Sequence, residues 1–86
     1  MDDYGIIFTH SARKEIEALD NKTLQRILPK IESLAKIPRP TNCRKLQGEE
    51  NLWRIRVSDY RVIYSIYDNK HIVDIMAIRH RSEAYR

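Results

Sequence analysis

Hydrophobic residues follow two different periods along this chain of 86 residues, and the change falls near Pro40. Before it, apolar residues recur every three or four positions, which predicts helices. After it, apolar and polar residues alternate, which predicts strands with one buried face. A short apolar run at residues 4–8 precedes the helical part and predicts a first strand.

The helical part predicts two helices that pack as a hairpin. Ser11 is the expected N-cap of the first, and Asn21 or Thr23 the expected N-cap of the second. Pro29 predicts a kink in the second helix or a later start, because proline lacks the backbone donor. The expected buried residues of the two helices are Ala12, Ile16 and Leu19 in the first and Leu24, Ile27, Leu28, Ile31, Leu34 and Ala35 in the second.

The second half predicts strands at residues 43–46, 52–57, 60–67 and 71–78, separated by short polar turns. Strands joined by tight turns pair antiparallel. We therefore predict one α+β domain over residues 1–86, ordered β-α-α-β-β-β(-β), in which the helical hairpin covers one face of an antiparallel sheet. The predicted inward positions are Trp53, Ile55, Val57, Val62, Tyr64, Ile66, Val73, Ile75 and Ala77.

Strand alternation leaves three arginines on the sheet face that the helices do not cover. Arg54 and Arg56 share that face of one strand, and Arg61 follows the tight turn at residues 58–59. Neighbouring strands lie about 4.8 Å apart, so these like charges should be close together. Such a cluster favours a bound anion or an acidic partner, although three solvated surface arginines would give the same pattern.

The net charge of +4 supports an anionic partner because of where the excess lies. Residues 1–38 carry six cations and six anions, whereas residues 39–86 carry ten cations, eight of them arginine, and six anions. Arginine presents a planar fork of donors that suits phosphate. The second half therefore favours nucleic acid or an acidic protein as partner.

Several classes of protein are excluded by composition. The apolar runs are far shorter than the ~20 residues of a membrane span, and there is no signal-peptide core, so we expect a cytoplasmic protein without a membrane partner. Cys43 is alone, which excludes an internal disulfide. The histidines and carboxylates show no metal-ligand spacing. We therefore predict neither a metal site nor a cofactor.

Motifs along nearly the whole chain resemble the RelE toxins of bacterial and archaeal toxin–antitoxin systems, within the RelE/ParE superfamily. They are Lys45–Gly48, Trp53–Arg56, Asp59–Tyr64 and the terminal Arg79–Arg86. The resemblance implies a metal-independent endoribonuclease that enters the ribosomal A site and cuts mRNA there by attack of the 2′-hydroxyl. It also implies an acidic, partly disordered RelB-like antitoxin that blocks the toxin, and contact with operator DNA only through that antitoxin.

The same resemblance assigns roles to individual residues. Catalytic roles fall on Arg54, Arg56, Arg61, Arg79, Tyr85 and His80, and RNA-binding roles on Arg81, Lys45 and Arg86. Arg61 matches the arginine that stabilises the transition state, and Tyr85 the tyrosine that stacks on a base. Some members carry lysines where this chain has Arg54 and Arg56, and arginine cannot serve as a base. Histidine is the residue type whose ordinary pKa best suits proton transfer, so His80 is the first candidate for the base, followed by Tyr85 and by Glu49 or Glu50.

Two other functions remain open at the level of sequence. A ParE-like toxin shares the expected fold but inhibits DNA gyrase by binding. A catalytically silent member would act only by binding an antitoxin. The arginine group together with Tyr85 favours the RNA-cleaving type.

Overall fold

The computed structural model describes residues 3–82 and places a helical layer against a five-stranded sheet. The helices pack on one sheet face, as the alternation of buried and exposed strand residues predicts. No helix in this part of the chain is long and apolar enough to cross a membrane. The elements are β1 (Gly5–Phe8), α1 (His10–Glu17), α2 (Asn21–Ser33), β2 (Arg44–Lys45), β3 (Trp53–Val57), β4 (Tyr60–Tyr67) and β5 (Ile72–His80).

The strand order is β1-β5-β4-β3-β2, and one pairing corrects the sequence prediction. Strands β2 to β5 pair antiparallel, as their short connections predict, but β1 pairs parallel with β5. The sheet is therefore mixed within the predicted α+β class. Turn residues in the sequence indicate pairing only between strands that follow each other in the chain. The pairing of β1 with β5 joins residues more than sixty positions apart and depends on the crossover through the helices.

Both helices begin earlier than the predicted caps. The side chain of Thr9 accepts a hydrogen bond from the backbone N–H of Ala12 at 3.1 Å, and Asp20 accepts one from Thr23 at 3.0 Å. Ser11 and Thr23 therefore lie inside helices rather than at their starts.

Helix α2 also continues through Pro29, so the proline does not delay its start. Pro29 is exposed, and its ring lies outside the core. The core joins both layers and confirms most of the predicted inward positions. Its buried residues are Ala12, Ile27, Ile31, Leu34, Ile55, Val57, Val62, Tyr64, Ile66, Val73, Ile75 and Ile78.

An irregularity in β5 changes which residues face the core. In β4, Ile63 and Tyr64 are adjacent, but their partners in β5 are Ala77 and Ile75, so Met76 is an extra residue. Such a β-bulge shifts the alternation of a strand by one position. Before the bulge the odd-numbered residues of β5 face the helices, and after it the even-numbered ones do.

Because of the bulge, one predicted core position is wrong and one arginine lies on the open sheet face. Ile78 pairs with Val62 and lies in the core, whereas Ala77 is 8% exposed but lies on the opposite sheet face. Without the bulge, Arg79 would point toward the helices. With it, Arg79 pairs with Arg61 on the face that the helices leave open.

Candidate nucleic-acid interface

Three arginines on three neighbouring strands form a row across the open sheet face. Arg56 of β3 lies opposite Arg61 of β4, and Arg61 lies opposite Arg79 of β5. Adjacent strands are about 4.8 Å apart, and like charges in directly opposite positions destabilise a sheet. The row therefore has a folding cost that a bound anion would offset.

A second pair of arginines lies beside this row. Arg44 of β2 is opposite Arg54 of β3, and Arg54 is two residues, about 7 Å, from Arg56 along the strand. Sequence reasoning found Arg54 but missed Arg44. The strand predicted at residues 43–46 contains two adjacent cations, Arg44 and Lys45, and one of the two must share the sheet face of Arg54. Only the register of β2 against β3 shows that this cation is Arg44.

Two surface pockets follow this face and share Arg56. One has a volume of about 280 Å³ and is lined by Arg56, Ser58, Asp59, Tyr60, Arg61 and Arg81. The other has a volume of about 300 Å³ and is lined by Asn42, Arg44, Arg54 and Arg56. We call the surface formed by Arg44, Arg54, Arg56, Arg61, Arg79 and Arg81 the arginine face.

The β3–β4 turn fixes one end of the arginine face. Ser58 adopts a φ of 57°, in the left-handed region that residues other than glycine rarely occupy. Arg26 of helix α2 donates to the hydroxyl of Ser58 at 3.3 Å. The backbone N–H of Arg81 donates to the carbonyl of Asp59 at 2.7 Å. These contacts hold the turn against the helical layer on one side and against the end of β5 on the other, which brings Arg81 to the pocket.

Arg79 has a partner on helix α1. Its guanidinium forms an ion pair with Glu15, whose other carboxylate oxygen accepts the backbone N–H of Ile78 at 2.9 Å. Glu15 was not among the predicted site residues. A single carboxylate in a helix gives no signal in sequence of a contact 64 positions away.

Two of the predicted site residues lie away from the arginine face. His80 pairs with Tyr60 on the helix side of the sheet, and the two rings meet edge to face at 5.2 Å. The Nδ1 atom of His80 lies 3.3 Å from the backbone nitrogen of Ser82, whose N–H it accepts. Lys45 lies opposite Trp53, and its ammonium is 5.9 Å from the centre of that ring.

The remaining predicted residues, Tyr85 and Arg86, lie outside the described residues, so their predicted roles are not tested here. Within residues 3–82, no group of three or more histidine, cysteine or carboxylate side chains is arranged to hold a metal ion. The chemistry that the described site offers is that of fixed guanidinium donors. Such donors bind phosphate oxygens and stabilise negative charge that develops on them.

A carboxylate on the open sheet face lies too far away to act as a base at the arginine row. Burial raises the pKa of Asp74, which is opposite Ser65 in the sheet. Ser65 is four residues from Arg61, a distance of about 13 Å along the strand. Proton transfer requires hydrogen-bond contact, so Asp74 is too far away to exchange a proton with a group that Arg61 binds.

Comparison with known proteins gives consistent matches over nearly the whole chain. The family described as the ParE toxin of the type II toxin–antitoxin system parDE matches residues 6–85. The mRNA interferase toxin RelE of Escherichia coli is 29% identical, over 95% of this chain and 90% of its own.

Solved structures show the same fold. A chain of the archaeal RelE–RelB complex from Pyrococcus horikoshii superposes with a TM-score of 0.81 at 27% identity, covering 92% of this chain and 96% of that one. The isolated RelE toxin of Escherichia coli gives 0.80 at 28% identity, covering 95% and 90%.

Proposed function

Because this chain belongs to the ParE toxin family of type II toxin–antitoxin systems, within the RelE/ParE superfamily, we propose that it acts as a RelE-type endoribonuclease. The proposed reaction is cleavage of mRNA in the ribosomal A site, by attack of a 2′-hydroxyl on the adjacent phosphate. A protein that acts on translating ribosomes works in the cytoplasm. The relative named an mRNA interferase supports this activity over the other functions in the family.

The arginine face is the observation that carries the proposal. Attack on a phosphodiester adds negative charge to the phosphorus centre, and fixed guanidinium groups stabilise it without reorganising. The row of Arg56, Arg61 and Arg79 presents three such groups at strand spacing. Like charges in opposite positions of a sheet repel, and a phosphate bound between them would offset that repulsion.

Each residue of the site has a proposed task. Arg61, half-buried in the middle of the row, contacts the reacting phosphate, and Arg56 and Arg79 flank it. Arg54 and Arg81 bind the RNA backbone on either side of the row. From the family resemblance, we propose that Tyr85 stacks on a base of the codon and that Arg86 adds a further backbone contact.

Cleavage on ribosomes tests this function directly. Purified protein, added to ribosomes stalled on a defined mRNA, should cut in the A site, and Arg61→Ala should lower the rate about 10²–10³-fold. Arg13→Ala removes the same charge from the exposed side of helix α1 and should leave the rate unchanged. Equal rates for wild type and Arg61→Ala would contradict the proposal, and so would intact mRNA.

The chemical course of the reaction has its own test. Attack by the 2′-hydroxyl leaves a 2′,3′-cyclic or 3′-phosphate and a free 5′-hydroxyl, and requires no metal ion. An mRNA with a 2′-deoxy nucleotide at the cut should therefore resist cleavage, although it occupies the A site normally. Cleavage of that mRNA, or a product with a 5′-phosphate, would show a different mechanism.

We also propose that a cognate acidic antitoxin, partly disordered before binding, inhibits the protein. Membership in a toxin–antitoxin family supports a protein partner. An acidic segment that folds on the arginine face would neutralise the opposed cations. Addition of the antitoxin should abolish cleavage at equimolar amounts, and operator DNA should bind only when the antitoxin is present.

Inhibition of DNA gyrase is the second candidate function, because the matching family is described by the ParE toxin. Supercoiling assays with purified gyrase separate the two candidates. Inhibited supercoiling with intact mRNA would favour the ParE-like function, and cleaved mRNA with normal supercoiling would favour the RelE-like one. A protein that binds its antitoxin but does neither would be a silent binding module.

A further inference from the structure

Strand β5 extends beyond the end of its neighbour β1, and contacts from Thr9 and Glu15 rather than a strand satisfy its exposed edge. β1 ends at Phe8. The backbone N–H of Thr9 donates to the carbonyl of Ile75 at 3.0 Å, and its hydroxyl donates to the carbonyl of Met76 at 3.1 Å. Further along, the Oε1 atom of Glu15 accepts the N–H of Ile78 at 2.9 Å. Thr9, the N-cap of helix α1, and Glu15 in its last turn thus continue the edge that β1 leaves.

These contacts hold the segment that determines where Arg79 points. Met76 is the bulged residue, and the bulge is what turns Arg79 toward the open sheet face. Thr9 holds the bulge, and Glu15 holds the residue just before Arg79. The direction of Arg79 therefore depends on helix α1 as well as on the sheet.

Glu15 also contacts the Arg79 side chain itself. One carboxylate oxygen is anchored by the backbone of β5, and the other forms the ion pair with Nη1 of Arg79. The Glu15 side chain is 24% exposed, and that of Arg79 is 44% exposed. A guanidinium has five N–H donors in a planar fork, so one edge can bind the carboxylate while others remain available to a phosphate.

We propose that Glu15 is a positioning residue that orients Arg79 toward the reacting phosphate. The proposal rests on the proposed function, because it assumes that Arg79 contacts the substrate during cleavage. An arginine side chain without an anchor samples many rotamers, and a contact made only in the transition state is lost when its geometry is loose. Glu15 keeps the guanidinium of Arg79 in one orientation before RNA binds.

Glu15→Gln separates this role from a purely structural one. The glutamine oxygen can still accept the N–H of Ile78, so the edge of β5 stays satisfied, while the ion pair with Arg79 is lost. We expect kcat to fall about 10–100-fold with KM nearly unchanged. The melting temperature should change little. Glu17→Gln is the matched control, since it removes the same charge from an exposed position on the same helix.

A double-mutant cycle shows whether Glu15 acts through Arg79. In an Arg79→Ala background, which lacks the guanidinium, Glu15→Gln should cause no further loss of kcat. In parallel, the ¹⁵N side-chain signal of Arg79 should be sharp in the wild type and broadened in Glu15→Gln. Independent, additive losses would overturn the proposal, as would equal effects of Glu15→Gln and Glu17→Gln.

Failure of this inference can be distinguished from failure of the proposed function. If the wild type cuts mRNA and Arg61→Ala does not, while Glu15→Gln is fully active, the function stands and the positioning role is wrong. If the wild type does not cut mRNA at all, both are wrong.

Discussion

At the scale of single residues, the site is rich in groups that stabilise negative charge, whereas Asp59 is the one carboxylate residue that lines the pocket of Arg56 and Arg61 within the described residues. Arginine stays protonated at every relevant pH. The nearest described carboxylate to Arg79, Glu15, is already committed to an ion pair and a backbone N–H. His80 is the residue that the sequence analysis favours for proton transfer, but the bulge in β5 places it on the opposite sheet face.

This placement leads to a prediction for His80→Ala. The variant should keep its cleavage rate, because the register places the His80 ring on the sheet face opposite Arg61 and Arg79, where it meets Tyr60 edge to face. It should lose about 0.5–1.5 kcal/mol of unfolding free energy, the usual value of an edge-to-face aromatic pair. Denaturant unfolding and single-turnover cleavage measure the two effects. A hundredfold loss of rate without loss of stability would instead show that His80 transfers a proton.

At the scale of elements, the two-residue strand β2 gives the sheet an extra cation at its edge. Its register puts Arg44 opposite Arg54, which is unfavourable for folding but extends the arginine face past β3. Binding and stability should therefore respond to this residue with opposite signs. Most substitutions of structural residues lower stability, so a substitution that raises stability while it weakens RNA binding identifies a binding residue.

Arg44→Ala tests that trade-off. We expect the unfolding free energy to rise by about 0.2–1 kcal/mol, because a like-charged cross-strand pair is removed. Binding to a single-stranded RNA with a 2′-deoxy nucleotide at the cut should weaken. The slope of log K against log salt should fall by about 0.7, the value for one lost phosphate contact.

Lys30→Ala, which removes an exposed cation from helix α2, should leave both the RNA affinity and its salt dependence unchanged. If Arg44→Ala and Lys30→Ala behave alike, Arg44 does not contact RNA.

At the scale of the whole molecule, one polar network joins segments that are far apart in sequence. The carboxylate of Asp68, in the β4–β5 turn, accepts a hydrogen bond from the hydroxyl of Tyr4 at 2.7 Å. It also accepts two from the guanidinium of Arg39, at 3.2 and 2.9 Å. Arg39 in turn lies 4.9 Å from the centre of the Trp53 ring. The network ties the first strand and the end of the helical layer to the sheet, on the side away from the arginine row.

The network predicts a specific loss of stability in acid. Hydrogen bonds from Arg39, and then from Tyr4, hold the pKa of Asp68 down to about 2, below its ordinary value of 3.8. A carboxylate with a lowered pKa contributes stability that is fully present above pH 4 and is lost as the pH falls toward 2. Asp68→Asn should therefore lower the melting temperature above pH 4, and the difference from wild type should shrink as the pH approaches 2.

Asp3→Asn is the control, because Asp3 forms an ion pair with Lys36, at 3.6 Å, in which both side chains are exposed. Its melting temperature should follow that of the wild type across the same pH range. A difference between wild type and Asp68→Asn that stays constant down to pH 2 would show that the carboxylate charge does not contribute.

The sequence by itself determined the elements, the α+β class and the position of most core residues. Hydrophobic periods are local, and a change from 3.6 to 2 residues can be read without knowing the partners of each strand. The same alternation placed Arg54, Arg56 and Arg61 on one face. The motifs indicated the family, which the comparisons confirm.

Only the tertiary structure decided which residues lie beside the arginines that the sequence predicts on the open sheet face. The parallel pairing of β1, the bulge at Met76, the opposition of Arg44 to Arg54 and the contact of Glu15 with Arg79 all depend on register between distant segments. Register is set by packing and by edge hydrogen bonds across the whole sheet, and a shift of one residue moves every side chain to the other face. Neighbours in a strand always face opposite sides of the sheet, and the bulge decides that Arg79 rather than His80 shares the face of Arg61.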